Sequence, residues 1–579
     1  MLIWMRTRIL LAALCGVFAV AELRAEETPS DVTGQGSSTA TSAAETSESP
    51  STPPLVTLPP IDSARNAPPV ASPAGVVTPA AAHQLVNPAD PSASSDQLLV
   101  PTERLTALED RIQQLEQDLA TQQAESAEVE KLDVDNLMIP SWGREGFQAE
   151  SPDKEFKIHV GGRVQLDGVA LSAPDLVLGG VGDQDAVDFR RARIRIDGTM
   201  YYTMQWAAEF DFVNAFDADP TNPADYVNAF GGDAMHTVVP TDLWWDFSEM
   251  PLLGNVRIGN QKDPIGLEHI QSSRFLDFME RSYLQDAFFG PFNNGFSPGI
   301  MVHSYNEAET VTWQYGIFRN TQNSFAYDIG DSQYAATGRI TCVPWSDCDD
   351  RELIHLAVAG SYRGLDQEEE VSTGNIRVRS RASLRNGPGP LNPTIADTNF
   401  AGRIFADNQL LLNPEFAYVH GPWLFQSEYC GGWINGGTFT PIGGAPIDPG
   451  QVFFQGSYVN VLYFLTGEHR AYDRHEARFG RVIPNENAMR LRDGTLTGLG
   501  AWQIGARYGF LDLNDAGIAG GYIQDLTLGL NWFLNPHAKL QFNYIADHVD
   551  NRLRNNAGVV TAVNDAFLTG FGVRFACDF

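Results

Sequence analysis

The sequence predicts an all-β chain that closes into a transmembrane antiparallel β-barrel of about 16 strands, preceded by a disordered linker and a short coiled coil. Three observations carry this. The one long apolar run, Ile9 to Ala21, falls short of the roughly 20 residues a membrane helix needs, so no later segment spans a bilayer as a helix. From Phe156 to the C terminus the apolar positions alternate with polar ones at period two. Short turns such as EMPLLGN and FLNPHAK alternate with long Gly-, Asn- and Asp-rich loops, the rhythm of an outer-membrane barrel.

Taken in order, Arg6 and Arg8 precede the apolar stretch Ile9–Val20, and small residues follow up to Ala25. That is the pattern of a secretory signal peptide over residues 1–25, so the mature chain is expected to be exported. Cys15 lies inside the apolar stretch after Leu14, where a lipoprotein signal would place a small residue. Residues 26–100 are rich in Ser, Thr, Pro and Ala and nearly lack aromatics, so they cannot bury enough apolar area to offset chain entropy. They read as a disordered linker. Over residues 101–131, Leu105, Leu108, Ile112, Leu115 and Leu119 recur at spacings of three and four between charged and Gln residues. The seam is narrower than the face of a surface helix, which favours a self-associating coiled coil over a single amphipathic helix lying on a protein surface. Pro140 and the loop SWGREG close this segment.

The barrel is expected over residues 152–579. FKIHVGGRVQLDG sets Ile158, Val160, Val164 and Leu166 against Lys157, His159, Arg163, Gln165 and Asp167. In FRRARIRIDG the apolar face is Ala192, Ile194 and Ile196, and the opposite face carries Arg191, Arg193, Arg195 and Asp197. TMQWAAEFDF then opposes Met204, Trp206, Ala208, Phe210 and Phe212 to Gln205, Glu209 and Asp211. Three aligned arginines are costly in a sandwich core and acceptable in a water-filled lumen. The chain ends in AFLTGFGVRFACDF, with Phe571, Val573, Phe575, Cys577 and Phe579 on one face.

Charge and motifs narrow the function classes. With 72 acidic against 39 basic residues and a net charge of −33, the chain lacks the basic footprint of a nucleic-acid binder. No Cys/His cluster has zinc spacing and no nucleotide or EF-hand motif occurs, so no cofactor is inferred. Cys342 and Cys348 are close enough to be a disulfide pair in an exported protein or to remain separate, whereas Cys430 and Cys577 read as small apolar strand residues. The adjacent pair His303–Ser304 is the one arrangement suggesting an enzyme, but neighbours on a strand point to opposite faces. The chain is not expected to be an enzyme.

Several ordered motifs resemble the phosphate-selective porin O and P family: LGNVRIGNQKDPIGLEHIQSSRFLDFMERS, NGFSPGIMVHSYNEAETVTWQYGIFRN, YFLTGEHRAY, GAWQIGARYGFLDLND and TLGLNWFLNPHAKLQFNYI. The resemblance covers most of residues 155–579. It implies a sixteen-stranded outer-membrane porin, typically a homotrimer in the lipid bilayer, with a long loop folded into each lumen. Around these motifs that loop falls at about Asp263 through Ser297, rich in aromatics as suits packing against an inner wall. Anion selectivity in such a pore is attributed to lumen cations, and a guanidinium matches a phosphate with two parallel hydrogen bonds. Candidate pore-lining, anion-binding residues are Arg163, Arg191, Arg193, Arg195, Arg257, Arg507 and Arg574 by alternation, with Arg274 and Arg281 on the loop. The alternative is that Asp167, Asp197, Glu209, Asp211, Asp242, Asp246, Glu428, Asp525 and Asp547, on the same faces, cancel them. Lysine is scarce on the barrel, so selectivity would rest on arginine. The expected function is passive diffusion of inorganic anions or small hydrophilic solutes, with an anion or phosphate preference. A structural envelope anchor, holding the cell wall through a periplasmic N-terminal segment, is the alternative.

Overall fold

The computed structural model describes residues 102–135, 138–143, 146–178, 183–213, 238–290, 295–319, 334–347, 349–365, 375–386, 392–492, 495–556 and 559–579. The expected signal peptide and linker, residues 1–25 and 26–100, lie outside the described residues, as does Cys348. A single helix, α1, covers Thr102–Asp135, and the seam residues Ile112, Leu115 and Leu119 are exposed along it.

Sixteen antiparallel strands follow, each paired with the next. β1 to β8 are Lys157–Ser172, Gln184–Met200, Met204–Asp211, Val239–Met250, Gly254–Lys262, Phe296–Tyr305, Val311–Arg319 and Tyr334–Ser346. β9 to β16 are Glu352–Gly364, Asn408–His420, Trp423–Asn435, Val452–Phe464, Ala501–Asp515, Ile518–Asn535, Ala538–Asn556 and Ala566–Asp578. The last strand pairs with the first, from Thr569 opposite Ser172 to Asp578 opposite Arg163, so the sheet closes into a barrel. Closure leaves no unpaired edge between β16 and β1, which a bilayer requires. An extra hairpin, Ile139–Gly143 and Gly146–Glu150, adds to the start of β1, so pairing begins before residue 152.

The alternation read from the sequence becomes an inside and an outside. On β14, Leu526 and Leu528 are exposed while Asp525 and Thr527, which alternate with them, are buried in the interior. Trp423, stacked on Phe425 and tilted against Tyr463, forms an aromatic cluster at one end of β11 and β12, where such amphipathic rings suit a membrane interface. In one respect the rhythm of turns and loops departs from expectation. The end that carries the short turns also carries the 465–500 connection between β12 and β13, while β13 and β14 meet at the opposite end through a two-residue turn. Connection length reports what a segment packs against, and this one packs inward.

Candidate pore constriction

Three segments fill the interior. The first, between β5 and β6, enters through Gly266 at φ 75°, where an added Cβ would lie 2.6 Å from the Phe289 ring. The short helix Leu267–Ile270 then begins against the far wall. Its first amide groups, which have no partner within a helix, donate to Glu428 of β11 (Leu267 N at 3.0 Å, Glu268 N at 2.8 Å). Further along, Asn531 of β14 and Lys539 of β15 donate to the carbonyls of Asp277 and Leu276, and Arg363 of β9 donates to that of Phe288. The loop is thus tied to walls on opposite sides of the barrel, with Phe278, Met279, Phe288 and Ile265 fully buried.

The second segment, residues 375–386 and 392–407 between β9 and β10, folds in from the same end. Its Arg381 makes two 2.8 Å bonds to Asp286 of the first loop. The third is the 465–500 connection, which straps the turn end. Tyr472 meets His355 of β9 (2.7 Å), Glu476 meets Arg257 of β5 (3.4 Å), and Arg478 donates to the Ile270 carbonyl of the first loop (3.2 Å). Neither segment was legible as an insert, although HRAYDRHEARFGR, with arginines spaced between aromatics, is a poor composition for an exposed turn.

The candidate arginines fall into two groups. Arg163, Arg193, Arg195, Arg257 and Arg507 each reach a carboxylate at 3.0 Å or less: Glu209, Asp211, Asp197, Asp246 and Glu268 respectively. Arg574, added to them by alternation, grips Asp167 through two bonds of 2.7 and 2.6 Å and also meets Glu280. These pairs brace the wall, and their charge is largely cancelled. The other three have no carboxylate in hydrogen-bond contact among the described residues. Arg191 donates to Gln165 (2.8 Å), and Arg281 to the carbonyls of Glu268 and Gln271. Arg274 lies 3.9 Å from Glu209 and 3.8 Å from Asp578, and its Nε and one terminal nitrogen make no hydrogen bond. Burial pulls the Arg281 guanidinium down to about 10, against the pull of Glu268 and Glu280, so it stays charged at neutral pH.

Alternation alone missed Arg190. β1 and β2 pair Gln165 with Arg191 and then Leu166 with Phe189, so Arg190 is an extra residue in a bulge. A bulge re-aims a side chain. Phe189 faces outward, and Arg190 and Arg191 both reach the interior, Arg190 making bonds of 2.8 and 3.0 Å to Glu280. Glu280 thereby faces Arg190, Arg574 and Arg385. Burial works to raise its carboxyl, but Arg190, Arg385, Arg191 and Arg574 outweigh it and hold it well below the ordinary range. His303 bonds Asp246 at 2.7 Å, not its neighbour Ser304.

At the turn end a pocket opens between the loop and the strap. Arg163, Arg274, Arg470, Arg481 and Lys539 line it, with Asp578 as its single carboxylate. The model of the family described as phosphate-selective porin O and P matches residues 158–575, the span of the barrel. The chain belongs to that family. It is an outer-membrane porin. Porin O of Pseudomonas aeruginosa is 24% identical over 444 residues, 73% of this chain and 91% of that protein. An uncharacterized protein of Caulobacter vibrioides is 25% identical over 406 residues, covering 69% of each. Among solved structures, Salmonella typhi OmpF in complex with daunomycin covers 73% of this chain and 98% of its own at 10% identity and a TM-score of 0.40.

Proposed function

We propose that the barrel passes small hydrophilic solutes by passive diffusion with a modest preference for inorganic anions, phosphate among them. The observation that carries this is the pocket at the turn end: of its five basic side chains, Arg163, Arg470 and Arg481 meet Glu209, Asp277 and Asp578, whereas Lys539 meets the Leu276 carbonyl and Arg274 keeps two nitrogens free of hydrogen bonds. Rings of charge set selectivity in pores, and a guanidinium with unused donors offers an anion a replacement for water. The preference is modest because most of the other candidate arginines are neutralised by hydrogen-bonded carboxylates. In this reading the turn end faces the periplasm, residues 1–25 are removed on export, residues 26–100 form a flexible linker, and residues 101–131 join three chains through the exposed seam of α1. Cell-wall contact by that periplasmic segment would be secondary to transport.

The test is the reversal potential of the purified full-length protein in a planar bilayer under a potassium chloride gradient, followed by phosphate titration. A potential favouring anions, with chloride current reduced by phosphate, supports the reading. Stable channels that favour cations would refute it.

A further inference from the structure

On the outer wall at the turn end, the turn from β8 to β9 and the turn from β10 to β11 leave a hollow of about 380 Å³ between them. Asp347, Arg351 and Glu352 line it from the first turn, His420 and Trp423 from the second, and Tyr463 from the end of β12. The two turns are tied together, because Gly421 N donates to the Arg351 carbonyl at 2.7 Å and Glu352 pairs with His420 in the ladder. By alternation Glu352, His420, Trp423 and Tyr463 belong to the outward face. Farther along the same strands that face is apolar, with Val358 on β9, Phe416 on β10 and Val459 on β12 exposed. The hollow therefore lies where the apolar band ends, beside the Trp423 and Tyr463 rings, whose centroids are 4.5 Å apart.

Its charges are of both signs and are only partly used. Arg351 is exposed, and one terminal nitrogen donates to the Gly467 carbonyl at 3.2 Å. No carboxylate lies within 4.0 Å of that guanidinium among the described residues, and its other nitrogens make no hydrogen bond there. Asp347 accepts the Glu352 amide through one oxygen at 3.0 Å, and Glu352 meets His420 through one oxygen at 3.2 Å. Each carboxylate thus keeps an oxygen in reserve.

We propose that this hollow binds the headgroup of a phospholipid that carries a primary ammonium, with its phosphate on Arg351 and its ammonium between Asp347 and Glu352. A guanidinium offers a phosphate two parallel charge-assisted hydrogen bonds. A primary ammonium has three donors to divide between two carboxylates, whereas a quaternary ammonium has none. The acyl chains lie over the apolar outward face, and the Trp423 and Tyr463 rings sit at headgroup level. A soluble phosphate ester presents the same polar groups without chains to cover that face.

The site rests on the reading that the turn end faces the periplasm, where the adjoining leaflet holds phospholipid rather than lipid A, and it is independent of conduction. Native mass spectrometry of the full-length protein in detergent counts the lipids retained when phosphatidylethanolamine, phosphatidylcholine or phosphatidylglycerol of identical chains is added. The wild type is expected to retain phosphatidylethanolamine about threefold to fivefold over the other two, the scale of exposed ion pairs. Arg351→Gln, which leaves the backbone bond to Gly421 in place, should lower retention of all three. Glu352→Gln should erase the preference for ethanolamine over choline while phosphatidylglycerol binds at least as well as before. Equal retention of the three lipids by the wild type overturns the site alone, as does a preference unchanged in both variants. A preference for choline would overturn the role of the carboxylates, because the aromatic rings would then hold the cation. Displacement of the lipid by an equal concentration of soluble phosphoethanolamine would overturn the lipid as the occupant. Stronger retention of lipid A than of phosphatidylethanolamine would overturn the site together with the orientation on which it rests.

Discussion

Glu209 offers the sharpest test of how charge is arranged along the lumen. This one buried carboxylate lies 2.5 Å from Arg163, 3.0 Å from Arg193 and 3.9 Å from Arg274. Glu209→Gln keeps the shape and removes the charge, leaving a cluster of arginines with Asp211 as the nearest remaining acid. For an ion passing at roughly 6 Å through water, one unit of charge is worth about 0.7 kcal/mol. The change favours an anion by that amount and opposes a cation equally, about tenfold in the permeability ratio before screening and about fourfold after it at 0.1 M salt. The reversal potential under a salt gradient reads this ratio directly. Breaking a buried ion pair costs about 3–5 kcal/mol of stability, so folding of the variant must be checked by its resistance to unfolding in detergent before the pores are compared. Folded E209Q pores with an unchanged reversal potential would mean that this cluster does not face the permeating ion.

Arg274→Gln should shift the reversal potential the opposite way and weaken any block by phosphate; equal block in both proteins would remove Arg274 from the site. Asp263 sits buried at the base of the constriction loop, and burial lifts its carboxyl to about 6 even though Arg363 and a hydrogen bond from Ser297 pull the other way. A raised acid binds its proton more tightly folded than unfolded, so stability falls as pH climbs from about 4 to about 6, by roughly 3 kcal/mol in all. Asp263→Asn is therefore expected to be more stable than the wild type at pH 7 in denaturant titrations, with the gain gone near pH 4. Deleting residues 471–480 removes the strap and should enlarge single-channel conductance; an unchanged value would show that the strap lies outside the narrowest section.

How much of this was legible in the sequence depends on which distances mattered. Alternation in FKIHVGGRVQLDG or DLTLGLNWF depends on neighbours two residues apart, and it gave the barrel, its sixteen strands and the inward faces. It also placed Arg163, Arg193 and Arg507 inside, where they lie. Alternation fails wherever the ladder slips, and one extra residue in β2 was enough to send Arg190 inward beside Arg191. It is silent on pairing. Arg574 meets Asp167 across 407 positions of chain and Arg507 meets Glu268 across 239, so cancellation of charge was visible only as a roster of acids on the same faces. The two additional inserts were hidden for a further reason. Their backbone is irregular, and their buried arginines are satisfied by carbonyls and carboxylates on other elements, which leaves no periodicity to read.

The grip of Arg574 carries a consequence for biogenesis. On the final strand, this side chain holds Asp167 on the first strand, and it also bonds Glu280 and the carbonyl of Met279 on the constriction loop. Three parts of the chain that are made at very different times meet at one guanidinium, and the last to be synthesised completes the set. The full set of bonds at the seam therefore forms only when the loop is already in the lumen. A nascent barrel with its loop outside would close with Arg574 held by Asp167 alone and with its bonds to Glu280 and the Met279 carbonyl unmade, and that loss favours insertion of the loop before closure.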